Sequence, residues 1–147
     1  MIKKNSNYKF VQWSSPEELH GDCLLWMSKL RFIKDEQGFL NDLVKNYTLH
    51  LLSEELYERA THFIDLLHKE EMEVVQLLEK IMKHCNGLQI LLDGVDEIRE
   101  ERKYKEAHYY RKMEVAVYEQ EFQKTKRKIF NLVMNIMKKD SRKQLTK

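Results

Sequence analysis

Proline and glycine are scarce in this sequence, with one proline and four glycines among 147 residues. A β-sandwich or barrel needs a turn every ten or so residues, and these two residue types are the main turn formers. Their scarcity therefore favours an all-α fold built from a few long helices.

Cysteine is also rare, with Cys23 and Cys85 the two present. Two cysteines cannot form a disulfide framework, and they fit a reducing compartment. Residues 1–13 carry lysines but no apolar run of a signal peptide, and no segment reaches 18 consecutive apolar residues. We therefore expect a cytoplasmic protein without a membrane span.

The net charge of +2 is unevenly distributed along the chain. Residues 123–147 contain nine basic residues and one acidic residue, whereas residues 14–122 are acidic overall. A basic end is compatible with binding to nucleic acid or an anionic surface. No aromatic–basic pattern or nucleic-acid motif accompanies it, so packing beside the acidic middle of the chain is the better explanation.

The first helix has a clear start at Ser15-Pro16-Glu17-Glu18. Serine can cap the first amides, proline fits the first helical position, and Glu18 can reach back to the cap. Core positions then follow at alternating spacings of four and three, the pattern of a bundle helix. They are Leu19, Cys23, Trp26, Leu30, Ile33, Gln37, Leu40, Val44, Tyr47 and Leu51. A second row, parallel to these core positions on the same helix, predicts a broad buried face. It consists of Leu25, Phe32, Glu36, Phe39 and Leu43.

Ser53 is the predicted N-cap of the second helix. Its core positions are Leu56, Ala60, Phe63, Leu67, Glu70, Val74, Leu77, Ile81, His84, Leu88, Leu91, Val95 and Ile98. The pattern continues through Asn86-Gly87, which favours one helix, bent at Gly87 or Gly94. The alternative is a break there and a short fourth helix over 88–100.

The turn after the second helix is predicted in the polar stretch 99–106. The third helix has the core positions His108, Arg111, Val115, Tyr118, Phe122, Thr125, Ile129, Leu132 and Ile136. The prediction is an antiparallel bundle of three long helices, about 15–52, 54–99 and 105–139, in a single domain over 1–147. Residues 1–13 are expected to form a flexible arm and 140–147 a frayed basic tail.

Polar residues at core positions are the candidates for chemistry. Reflection of the chain about Ser53 places Glu36 level with Glu70 and Cys23 level with His84. Helical bundles that bind iron or zinc supply Glu, His or Cys from facing helices at one level. The candidate metal ligands are therefore Glu36, Glu70, Cys23 and His84. A second reflection, about residues 101–102, places His84 opposite roughly position 119, at the level of Tyr118 and Glu119.

Each of these residues also has a purely structural explanation. Long glutamates at the edge of a core can reach solvent, and a buried cysteine commonly behaves as a small apolar residue. No Glu-x-x-His pair falls at core positions, and the other candidate histidines lie on differing faces: His50, His62, His68 and His108. Phosphate loops, Ser–His–Asp arrangements and Cys-x-x-Cys motifs are missing, so no catalytic or cofactor-binding residue is assigned.

The segment Trp26-x3-Leu30-x-Phe32-x2-Asp35-Glu36 resembles the first helix of small, uncharacterised all-helical proteins of Bacteroidetes. In that pattern a histidine often stands three residues before the tryptophan, where this chain has Cys23. The resemblance implies an all-helical fold and no activity.

Three functions remain after these exclusions, and one of them is binding of nucleic acid or an anionic surface through the basic end, Lys124 to Lys147. The first is a non-enzymatic helical bundle that acts through protein–protein contact and self-associates, because the broad apolar faces of the first two helices leave surface for a second copy. The alternative is a metal-binding bundle, by analogy with hemerythrin or ferritin-like proteins, holding iron or zinc.

Overall fold

The structure is a computed structural model that describes residues 11–48, 53–93 and 98–145. It contains three long helices: α1, Pro16–Thr48; α2, Glu54–Asp93; and α3, Ile98–Leu145. No strand occurs in the described ranges. The predicted all-α bundle of three long helices is confirmed.

Serine caps begin the first two helices, as predicted. The amide of Glu18 donates to the Ser15 hydroxyl at 3.2 Å, and that hydroxyl donates to the Glu18 carboxylate at 3.2 Å. Ser53 accepts a hydrogen bond from the amide of Leu56 at 3.2 Å. Each cap satisfies an amide at a helix start that has no partner within the helix.

The contacts between helices establish an up-down-up arrangement. His84 on α2 contacts His108 on α3, and the earlier Lys80 contacts the later Glu114, so α2 and α3 are antiparallel. Asp22, near the start of α1, also contacts His108, near the start of α3. The first and third helices therefore begin at the same end.

Two compact units are formed, each with a part of all three helices. Unit 1 comprises Met1–Phe32 with Val75–Tyr118, and unit 2 comprises Ile33–Val74 with Glu119–Lys147. The predicted core spacing is confirmed in both, since its positions are buried almost throughout. Buried examples from each helix are Leu30, Ile81 and Phe122, all 0% exposed. Leu51 and Val95 lie outside the described residues, as does the side chain of Leu91.

Three of the five residues of the parallel row on α1 are exposed, which corrects the predicted broad buried face, and the other two, Glu36 and Leu43, are partly buried. Leu25, Phe32 and Phe39 are 52%, 65% and 62% exposed. The core positions of α1 already fill the side that faces α2 and α3. With two partner helices, the side of α1 that carries Leu25, Phe32 and Phe39 faces solvent.

The turn between α2 and α3 lies earlier than predicted. Residues 99–106 are helical and belong to α3, and Ile98 is an exposed first residue of α3 rather than a core position of α2. Arginine, glutamate and lysine are good helix formers, so a polar stretch alone did not mark a turn. The helix through Asn86-Gly87 is continuous, which confirms that prediction and excludes a break at Gly87. Gly94 lies outside the described residues.

The described residues near the two ends of the chain differ from the predicted arm and tail. Helix α3 continues to Leu145, because residues 140–145 include no proline or glycine that would stop it. Val11, placed in the predicted arm, is buried in a cluster with Leu19, Leu88 and Tyr109. Residues 1–10 and 146–147 lie outside the described part.

Candidate metal centre

One donor side chain from each helix converges within unit 1. Cys23 comes from α1, His84 from α2 and His108 from α3. A sulfur or ring nitrogen of each lies within 4.8 Å of the other two. Cys23 and His108 are buried and His84 is partly buried, so the donors meet in the interior of the unit.

A chain of hydrogen bonds orients the two histidines. The Asp22 carboxylate lies 3.0 Å from Nε2 of His108, and Nδ1 of His108 lies 2.8 Å from Nε2 of His84. Since a carboxylate accepts, the proton of His108 belongs on Nε2. The lone pair of His108 is then on Nδ1 and points into the cluster. This is the arrangement in which a carboxylate holds a metal-binding histidine by its second nitrogen.

Aromatic rings fix the imidazoles from the sides. Tyr104 stacks on His84, with ring centres 4.3 Å apart and planes 7° from parallel. The centre of the Trp26 ring lies 4.5 Å from the centre of the His108 ring. These contacts limit rotation of the imidazoles, so their nitrogens are held in position before any ligand arrives.

Burial keeps both histidines neutral. Burial, together with the smaller effects of the nearby His108 and Arg111, lowers the pKa of His84 to about 4. Burial also lowers the pKa of His108, although the hydrogen bond and negative charge of Asp22 partly offset it. Near neutral pH both rings therefore carry a lone pair, which is the form that binds a metal ion.

The two thiols are held in their protonated form. Burial raises the pKa of Cys23, with partial offset by hydrogen bonding from Cys85 and Tyr104. Burial and the neighbouring Cys23 raise the pKa of Cys85 to about 12. Both cysteines are free thiols. A buried thiol loses its proton readily when a bound cation compensates the thiolate charge.

The two predicted polar layers differ in the structure. Cys23 and His84 are brought together as ligand candidates, whereas Glu36 and Glu70 in unit 2 each contact α3 instead. Glu36 forms an ion pair with Lys126, and Glu70 accepts a hydrogen bond from Thr125 at 2.6 Å. Within the described ranges, Glu36 and Glu70 join no cluster of three potential ligands.

Sequence reasoning missed His108, and the displaced turn explains why. The predicted turn at 101–102 placed His84 opposite position 119. In the structure α2 ends at Asp93 and α3 begins at Ile98, so His84 lies opposite His108 instead. His108 stood at a core position of the third helix, and Asp93-Gly94 is a turn dipeptide, so a signal was present.

Comparison with known protein families, curated proteins and solved structures finds no match to this chain. Among the described residues, no helix is both long enough and apolar enough to span a membrane.

Proposed function

We propose that this protein is a metal-binding helical bundle that holds one zinc ion through Cys23, His84 and His108. The observation that carries the proposal is the convergence of these three donors, one from each helix, within 4.8 Å of one another. Thiolate and imidazole are the ligands that zinc takes most often in proteins. The two free thiols also support a reducing compartment, which we infer to be the cytoplasm.

The distances suit a tetrahedral ion after a small adjustment. Zinc–sulfur and zinc–nitrogen bonds of about 2.3 and 2.0–2.1 Å place neighbouring donors roughly 3.3–3.6 Å apart. The nitrogens of His84 and His108 lie 2.8 Å apart, so the ion would separate them by about half an ångström and replace their hydrogen bond.

The donor set favours zinc over iron. Bundles that bind iron supply several glutamates to the ion. Here the carboxylate that contacts the cluster, that of Asp22, lies against the outer nitrogen of His108. A cluster of sulfur and nitrogen donors suits the softer ion.

A zinc ion at this position would link all three helices of unit 1. Binding to the folded protein alone stabilises the fold in proportion to the affinity. The ion would therefore act on the stability of unit 1, and the proposal assigns it no reaction.

Calorimetric titration of metal-free protein with Zn²⁺ tests this proposal. We expect one ion per chain in the wild type and no saturable binding in H84A or H108A. H68A is the matched control, since the side chain of His68 is 75% exposed and outside the cluster. Absence of zinc binding in the wild type, or equal binding by H84A and H68A, would exclude the site.

Self-association is a second candidate function, and the exposed row on α1 favours it. Leu25, Phe32 and Phe39 stand seven residues apart and are each more than half exposed. Large apolar side chains at heptad spacing are typical of helices that pair. We propose that a second copy of this chain covers this row.

Sedimentation analysis of the wild type and F32E tests the self-association. We expect the wild type to sediment as a dimer and F32E as a monomer. M72E is the control, because Met72 is a similarly exposed residue on α2. A wild type that remains monomeric at high concentration would contradict the dimer.

A further inference from the structure

The second half of α3 carries an exposed surface of one charge sign. Between residues 124 and 142, the exposed side chains that the structure describes include six basic ones and no acidic one. We call these six residues the basic strip: Lys124, Arg127, Lys128, Lys138, Lys139 and Arg142. The first turns of α3 differ, because the exposed Glu100 and Glu101 stand between Arg99 and Arg102.

The basic strip lies on the side of α3 that is turned away from the core. Ile129 is fully buried in the middle of this segment. At 3.6 residues per turn, Arg127 and Lys138 fall about 160–180° around the helix from Ile129. With a rise of 1.5 Å per residue, the strip extends over about 27 Å, or about five turns. It therefore presents positive charge to solvent along a long surface of unit 2.

An apolar strip adjoins the basic strip on the same helix. Phe130, Met134 and Met137 are each more than a third exposed. Their spacings of four and three residues place them within about 60° of one another, between the basic strip and the buried side. This part of α3 thus combines two adjacent exposed faces, one basic and one apolar.

Ion pairs within the protein leave much of this charge available. Lys126, which is outside the strip, pairs with Glu36 of α1, and Lys124 lies 3.3 Å from Glu121 one turn earlier. Arg127, Lys128 and Lys138 form no ion pair with any other described residue. The electrostatic complement of the strip is therefore a ligand that carries several negative charges.

We propose that this face of α3 binds the surface of a lipid bilayer that contains anionic headgroups. The headgroups pair with the basic strip, and the apolar strip enters the boundary between headgroups and acyl chains. A nucleic acid would use the same positive charge but would leave Met134 and Met137 in water. The apolar strip therefore favours the bilayer. This surface requires neither zinc nor the exposed row on α1.

Cosedimentation of the full chain with lipid vesicles tests the proposal. We expect binding to vesicles of phosphatidylglycerol and phosphatidylcholine, none to phosphatidylcholine alone, and weaker binding as salt is added. One lysine or arginine at an anionic surface contributes about fivefold in affinity, so R127Q/K138Q should bind about 25-fold more weakly. R99Q/R102Q is the matched control, because it removes two exposed charges from the same helix outside the strip.

The variant M134Q separates a bilayer from a nucleic acid. We expect M134Q to weaken vesicle binding about fivefold through the lost apolar contact. Its effect on binding to duplex DNA should be negligible, since phosphate contacts do not involve this side chain. M72Q is the control, because Met72 is a similarly exposed methionine on α2. Circular dichroism checks that all variants remain helical.

Each outcome decides the proposal. Vesicle binding that falls in R127Q/K138Q and in M134Q, but in neither control, supports the bilayer surface. A wild type that does not bind anionic vesicles overturns it, and so do equal losses in R127Q/K138Q and R99Q/R102Q. Tighter binding to duplex DNA than to vesicles, unchanged in M134Q, also overturns it and assigns the basic strip to nucleic acid. Zinc titration is a separate measurement, so this inference and the proposed metal site can fail independently.

Discussion

The carboxylate of Asp22 holds the outer nitrogen of His108 at 3.0 Å, across the interface between α1 and α3. His108 is fully buried, and Asp22 is partly exposed, so the carboxylate connects a buried ring to the surface. The contact fixes which nitrogen of His108 carries the proton and turns the other towards His84 and Cys23. Asp22 is therefore a positioning residue for the candidate metal centre.

We expect D22N to weaken zinc binding about 10–100-fold, the usual effect of losing the outer partner of a metal-binding histidine. Stoichiometry should stay at one ion per chain, because the three donors remain. Competition with a chelator of known affinity measures the change. D42N, at an exposed position of α1, is the matched control, and equal affinities of D22N and D42N would contradict the positioning role.

Acid should destabilise the metal-free protein through the buried histidines. His84 binds a proton at its ordinary pKa of 6.5 in the unfolded chain but only near pH 4 in the folded protein. Between these values the unfolded state holds more protons, so the free energy of unfolding falls as pH is lowered from 6.5 to about 4. The lowered pKa of His108 acts in the same direction.

Urea unfolding of wild type and H84Q at pH 7 and pH 4, with chelator present, measures the histidine effect. Glutamine does not titrate, so H84Q should lose less stability than the wild type between the two pH values. The same loss in both proteins would show that His84 does not contribute.

Glu70 should have the opposite pH dependence. Burial raises the pKa of this carboxyl, and the Thr125 hydroxyl, which donates at 2.6 Å, only partly offsets it. The folded protein therefore disfavours the charged form, and stability is lost as pH rises above 4.5. E70Q keeps an oxygen for Thr125 and removes the charge.

We expect E70Q to be more stable than wild type at pH 7 and to differ much less at pH 4. Urea denaturation at both pH values gives the comparison. E58Q, at an exposed position of α2, should change stability little at either pH. A larger gain in stability for E70Q at pH 4 than at pH 7 would contradict the raised pKa of Glu70.

Core and surface leucines on α1 should respond very differently to truncation. Leu30 is 0% exposed, so L30A should cost about 2–5 kcal/mol of unfolding free energy through lost burial and a cavity. Leu24 is 55% exposed, and L24A should stay within about 0.5 kcal/mol of wild type. Chemical denaturation measures both, and similar losses would contradict the assigned core.

The candidate site was predictable in part. Cys23 and His84 could be placed together from the first hairpin alone, because their helices are joined at Ser53 and pair level by level. His108 could not be placed with them while the second turn was set five to six residues too late. In an antiparallel pair, each residue of error in the turn moves the facing position by two.

Sequence spacing and cap residues by themselves determined the three helices, the serine caps of the first two and most core positions of each. These features are local or depend on periodicity, since a helix buries every third or fourth residue whatever its partners are. Only the tertiary structure decided that Leu25, Phe32 and Phe39 face outward, that Glu36 and Glu70 find partners on α3, and that Asp22 reaches His108. Those outcomes depend on which helix lies beside which face and on the residue at which the chain turns. The spacing of residues within one helix carries no information about either.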